Sequence, residues 1–96
     1  MPRMHERPTI TFLTRPGCGL CDRARIDLQL LLEERAKVGR PGALVHEVDI
    51  ATDAALERRN LERIPVLVVG DQELALATSV RAMRVFLERT LDGHLA

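Results

Sequence analysis

Apolar positions along this chain switch between short strand-like runs and stripes at helical spacing. Pro8-Thr9-Ile10-Thr11-Phe12-Leu13-Thr14 is rich in β-branched and aromatic residues and is closed by Pro16-Gly17, which predicts a strand ending in a turn. Leu20 to Ala36 contains neither Pro nor Gly and places Cys21, Ala24, Leu28 and Leu31 on one stripe, which predicts a helix. Ile26 and Leu30 lie off that stripe and read as scattered exposed apolar residues. The glycines and proline of Val38-Gly39-Arg40-Pro41-Gly42 end the helix, and Ala43 to Ile50 predicts a second strand. A short surface helix follows over Asp53 to Glu62, with Thr52 as its N-cap and little apolar surface beyond Ala55, Leu56 and Leu61.

The second half closes with a hairpin and a helix. Ile64-Pro65-Val66-Leu67-Val68-Val69 is almost continuously apolar, the pattern of a strand covered on both faces. Gly70-Asp71 makes a turn and Glu73 to Ala77 returns beside it. Thr78 or Ser79 caps a last helix to about Leu91, with Val80, Met83, Phe86, Leu87 and Leu91 at helical spacing. The order is βαβ followed by ββα, which predicts an α/β sandwich. The first two strands are parallel neighbours joined by a right-handed crossover, and the hairpin extends the sheet antiparallel. The first and last helices cover one face of the sheet and the second helix the other.

Composition narrows the class. With 46% apolar residues in 96, a single domain over residues 1–96 is expected, with an N-terminal tail over residues 1–8. The 14 basic residues balance 14 acidic ones and are interspersed with them, so no nucleic acid, membrane surface or strongly charged partner is called for. No signal-like or membrane-length apolar run is present, and a cytoplasmic location is expected. Asp49 reads as a strand-end cap.

The chemistry rests on the two cysteines, Cys18 and Cys21, which sit where the first strand turns into the first helix. A helix N-terminus favours a thiolate over a thiol through its unpaired N–H groups and the positive end of its dipole. By themselves two cysteines so spaced fit a metal site, a staple or a catalyst. In a reducing cytosol a permanent staple is the poorest of these. Zinc needs two further ligands, and His5, His46 and His94 show no paired spacing. Asp22, beside Cys21, reads as an acid favoured in a first helical turn.

With Arg15-Pro16-Gly17-Cys18-Gly19-Leu20-Cys21 after the first strand and Arg63-Ile64-Pro65 opening the third, the chain resembles the glutaredoxins of the thioredoxin superfamily from Thr9 to Leu91. The resemblance implies a glutaredoxin fold, a four-stranded mixed sheet flanked by three helices, and a thiol–disulfide oxidoreductase serving cell redox homeostasis. It implies that Cys18 is the nucleophile that forms a mixed disulfide and that Cys21 resolves it. It implies a cis-proline at Pro65, with the backbone N–H and C=O of Ile64 offered to extended peptide or glutathione. Arg15 would stabilise the thiolate and attract a glutathione carboxylate.

Two stretches depart from the family's pattern. Gly19-Leu20 replaces a common proline–aromatic pair, and Ala75-Leu76-Ala77-Thr78 stands where glycines and an acid often bind the γ-glutamyl end of glutathione. Leu76 crowds that place, while Thr78 and Ser79 still bring N–H and hydroxyl groups to a carboxylate. Expected partners are protein or small-molecule disulfides, with glutathione a candidate reductant and its use open. No bound cofactor and no metal are expected, and the chain is expected to be a monomer. The alternative is a non-catalytic module of the same fold that docks extended peptide beside Ile64-Pro65 or holds an iron–sulfur cluster through Cys18.

Overall fold

The computed structural model describes residues 7–92, so residues 1–6 of the expected tail, with His5, and His94 at the other end lie outside the described residues. Strand β1 (Thr9–Thr14) organises the rest, because its alternation serves two cores at once. Ile10 and Phe12 face one side of the sheet, where they meet Ala24, Leu28 and Leu31 of helix α1 (Gly19–Lys37) and Met83, Phe86 and Leu87 of helix α3 (Val80–Leu87). Leu13 faces the other side with Ile50 and Val66, against which Leu56 of helix α2 (Ala54–Asn60) packs. Ile10, Phe12 and Phe86 are almost completely buried, each contributing about 1.5–3 kcal/mol of transfer free energy.

Strands β2 (Leu44–Asp49), β3 (Val66–Val69) and β4 (Gln72–Leu74) complete a mixed sheet of order β2-β1-β3-β4. β1 and β2 run parallel from Thr9↔Leu44 to Thr14↔Asp49, as a βαβ crossover requires. β3 is antiparallel to both neighbours, with Phe12↔Leu67 on one side and Leu67↔Leu74 on the other. The architecture is therefore the four-stranded mixed sheet with three helices that the resemblance implied. β2 forms one edge, and its Leu44 and Val45 remain 55% and 44% exposed.

Several boundaries differ from expectation for local reasons. Asp49 accepts from the Ala51 N–H and starts a 3₁₀ turn over Ile50–Thr52, which delays the second helix. Its N-cap is consequently Asp53, whose carboxylate accepts from the N–H groups of Ala55 and Leu56, and not Thr52, whose hydroxyl donates to the Asp49 carbonyl. Leu61 is 46% exposed, and Asn60 is buried instead, at 1%. β3 begins only at Val66, after Ile64-Pro65, and β4 stops at Leu74 because Leu76 turns into the left-handed region at φ 51°. Ser79, not Thr78, caps α3, its hydroxyl accepting from the Ala82 N–H at 3.1 Å. A π-helical turn over Glu88–Asp92 then brings Leu91 into the core.

The far end of the molecule is held by charge. Arg35, nearly buried on the last turn of α1, donates to both carboxylate oxygens of Asp92 at 2.5 and 3.2 Å and to the Pro41 carbonyl at 2.8 Å. The Arg35 guanidinium, helped by Arg40, holds the Asp92 carboxyl below the usual carboxylate range.

Candidate active site

The loop between β1 and α1 is shaped by Gly17, whose φ of 77° is a left-handed conformation that a β-carbon disfavours. The turn folds back so that the Cys18 N–H donates to the Arg15 carbonyl at 3.3 Å. Cys18 is then the N-cap of α1 in an extended conformation, and its Sγ accepts from the Cys21 N–H at 3.1 Å. Cys18 and Cys21 are joined as a disulfide with Cα atoms 5.2 Å apart. Cys21 is fully buried, whereas Cys18 is only half-buried. Of the two sulfur-bearing residues, Cys18 is thus the one open to solvent.

Ile64-Pro65 reaches this loop through the sheet. The β1–β3 ladder ends at Leu13↔Val66, and continuing its register sets Pro65 against Thr14 and Ile64 against Arg15. The Ile64–Pro65 peptide bond is cis. The chain after β4 lies along the other side of the same segment, with the Leu76 N–H on the Arg63 carbonyl at 2.7 Å and the Ala77 N–H on the Pro65 carbonyl at 2.8 Å. The register thus brings Ile64-Pro65 to the C-terminal end of β1, from which the loop carrying Arg15 and Cys18 departs, and Thr78 directly follows Ala77, which pairs with Pro65.

Two expected polar handles are already used. The Ile64 N–H donates to the Asn60 carbonyl at 3.1 Å, so of the two backbone groups expected on Ile64 only its C=O has no partner among the described residues. The N–H of Thr78 donates to the Leu76 carbonyl at 2.7 Å, and the Ser79 hydroxyl is committed to capping. The carboxylate cradle expected from Thr78 and Ser79 is correspondingly poorer.

A polar cluster that periodicity does not reveal supports the loop. Arg25 grips Glu47 through Nε at 2.9 Å and Nη2 at 2.6 Å, and its Nη1 donates to Asp22 at 2.9 Å. The Thr14 hydroxyl donates to the same Glu47 carboxylate at 3.0 Å. These hydrogen bonds, Arg25's first, hold the Glu47 carboxyl below its usual range against a smaller opposing effect of burial. Asp22 stands in the first turn of α1 beside Cys21, and pairing with Arg25 offsets the repulsion that its charge exerts on a thiolate. Thr14, Arg15, Pro16, Asp22, Arg25, Glu47 and Asp49 line an open polar cleft of about 360 Å³ next to the loop. Arg15 takes no part in a salt bridge among the described residues.

Asn60 is the other residue that sequence reasoning missed. Its Nδ2 donates to the Leu56 carbonyl at 3.0 Å, its Oδ1 accepts from Arg63 Nη1 at 2.8 Å, and its carbonyl accepts from both Arg63 and Ile64 N–H groups. It thereby folds the turn that delivers Ile64-Pro65. The available signal was an asparagine at a helix end four residues before that pair.

Among the described residues, no group of three or more His, Cys, Asp or Glu side chains is gathered to hold a metal ion, and no helix is long and apolar enough to cross a membrane. The sequence model of the glutaredoxin-like domain (DUF836) matches residues 9–92. Among solved structures, a structural-genomics target protein from X. campestris, XcR50, is similar at 34% identity and TM-score 0.65, over 82% of this chain and 95% of that one. A structure described as a malarial protein shares the fold at 13% identity and TM-score 0.59, over 90% of this chain and 99% of its own. No curated protein matches.

Proposed function

The chain belongs to the glutaredoxin-like domain family, and on that premise we propose that it is a thiol–disulfide oxidoreductase whose Cys18–Cys21 pair cycles between dithiol and disulfide. The observation that carries the reading is the asymmetry of the pair. Cys18 is the N-cap of α1 and partly accessible, while Cys21 is enclosed one turn along the helix. A thiolate at Cys18 keeps the Cys21 N–H as a hydrogen-bond donor and lies at the positive end of the helix dipole, both of which favour the thiolate over the thiol.

In the reductive direction the Cys18 thiolate attacks one sulfur of a substrate disulfide. A Cys18–substrate S–S bond forms, the substrate S–S bond breaks, and the distal sulfur leaves as a thiolate that takes up a proton. Cys21, once deprotonated, attacks Cys18 sulfur, expels the second substrate thiolate and closes the Cys18–Cys21 disulfide. Two electrons pass from the dithiol to the substrate. An external thiol, with glutathione one candidate, returns the pair to the dithiol. Arg15 steers acidic groups toward Cys18, and the Ile64 carbonyl receives an N–H from an extended substrate. The proposed setting is a reducing cytoplasm, with the protein acting as a monomer on protein or small-molecule disulfides.

The test is maleimide labelling read by mass spectrometry alongside turnover of a disulfide. Expected are a reversible two-electron change confined to Cys18 and Cys21, loss of turnover in Cys18→Ser, and accumulation of a mixed disulfide in Cys21→Ser. In a pH titration of alkylation, Cys18 is expected to react at lower pH than Cys21. Turnover retained in Cys18→Ser would overturn the reading.

A further inference from the structure

Resting on this oxidoreductase reading, we infer that Leu76 is the specificity residue of the site. It provides the apolar contact for an uncharged, apolar stretch of polypeptide next to the substrate's disulfide cysteine, in preference to the charged tripeptide glutathione.

Leu76 is the one non-glycine residue at positive φ among the described residues. Glycine adopts that conformation freely and asparagine comparatively well, whereas leucine does so against the contact of its β-carbon with the backbone. The side chain adds nothing to either core in return. It is 55% exposed and belongs to neither core cluster. Yet its position is closely held, by the Leu76 N–H on Arg63, the Ala77 N–H on Pro65 and the Thr78 N–H on Leu76 itself, at 2.7, 2.8 and 2.7 Å. With its backbone held beside Pro65 in this way, Leu76 has only its side-chain rotamers left to order when a ligand covers it.

The rest of the site has the matching character. Leu20, on the first turn of α1, is 56% exposed, and Ile64 is partly exposed. In the sheet order the β1–α1 loop and the β4–α3 loop lie on opposite sides of the segment that opens β3, so Ile64-Pro65 has Leu76 on one side and the loop that carries Cys18 on the other. An extended chain that runs from the disulfide along Ile64-Pro65 passes Leu76. The polar counterparts are scarce, since the Ile64 N–H, the Thr78 N–H and the Ser79 hydroxyl are all engaged internally. Glutathione brings two carboxylates and one ammonium. Of the arginines flanking the site, Arg25 is held by Glu47 and Asp22 and Arg63 by Glu73, leaving Arg15 alone for two carboxylates.

The test compares wild type, Leu76→Gly and Leu76→Asn on three disulfides. These are a peptide disulfide with apolar uncharged residues flanking its cysteine, glutathione disulfide, and the small neutral bis(2-hydroxyethyl) disulfide. Both variants tolerate positive φ and keep the turn. Wild type is expected to prefer the peptide by kcat/KM, and both variants to lower the ratio of peptide to small-disulfide kcat/KM about tenfold, through KM, as expected from losing about half a leucine's burial. An unchanged ratio, or a wild-type preference for glutathione disulfide, overturns the inference. Binding separates this from the underlying reading: a fluorescein-labelled copy of the peptide with serine for cysteine is expected to bind Leu76→Asn about tenfold more weakly than wild type, whatever the turnover. Equal binding overturns the role of Leu76. Absence of exchange with all three disulfides overturns the oxidoreductase reading instead.

Discussion

Asn60→Ala is the substitution for which the structure fixes the size of the effect most closely. The side chain is buried at 1% and makes two hydrogen bonds, to the Leu56 carbonyl and from Arg63 Nη1. The first is worth about 1 kcal/mol. The second involves a guanidinium whose side chain is 30% exposed and can be rehydrated, so it falls near the low end of charged bonds, about 1.5 kcal/mol. Alanine's better helix propensity returns about 0.5 kcal/mol. The net loss is about 2 kcal/mol, which for a domain of this size lowers Tm by about 8–16 °C. The chain has neither Trp nor Tyr, so the melt is followed by far-ultraviolet circular dichroism and not by intrinsic fluorescence. At 20 °C, where the variant is still folded, KM for a peptide disulfide is expected to rise more than kcat falls, because the turn that presents Ile64 has loosened. A stability loss under about 0.5 kcal/mol, well inside the range of ordinary surface substitutions, would refute the reasoning.

Two further outcomes follow from the charges. Arg35 holds the Asp92 carboxyl below its unfolded value of about 3.9, so its stabilisation is fully present above that pH and is lost as pH falls through the lower folded value. Asp92→Asn, which leaves the nearly buried Arg35 charge without its main partner, should therefore cost about 2–3 kcal/mol at pH 7 in urea unfolding, a difference that closes toward pH 2; a gap constant with pH contradicts it. Arg15→Glu is expected to slow exchange with acidic disulfides more than with neutral ones, and to do so most at low salt. Equal slowing of both at every ionic strength removes the steering role.

Much of this molecule is legible in its sequence because the local signals agree. β1, α1 and the Cys18–Cys21 pair follow from a β-branched run, a proline–glycine turn and a breaker-free amphipathic stretch, and Cys18 indeed lies at the helix start. The apolar run ending at Val69 becomes an interior strand for the same reason. What escaped depends on groups far apart in the chain. Asn60 is buried where it bonds Leu56, Arg63 and Ile64 at the turn after α2, a placement its own polarity does not announce. Thr14, Arg25 and Glu47 come from three elements and meet only once β2 lies parallel to β1. The loss of the Ile64 N–H to Asn60 and the positive φ of Leu76 are backbone events with no counterpart in hydrophobic patterning.

The N-cap of α1 is made by a sulfur of the Cys18–Cys21 disulfide, and this links folding to electrochemistry. Oxidised and reduced chains, folded and unfolded, form a closed thermodynamic cycle. The difference in folding free energy between the two redox forms must therefore match the difference between the reduction potentials of the folded and unfolded disulfide, converted through ΔG = −nFΔE for two electrons. A Cys18 thiolate retains the Cys21 N–H and gains a full charge facing the helix dipole, so every change that strengthens the positive end of α1 favours the dithiol. Each 1.4 kcal/mol gained there raises the potential by about 30 mV. Paired melting curves of the two forms are thus a voltmeter for the Cys18–Cys21 disulfide, and substitutions in the first turn of a helix become the means of adjusting its potential.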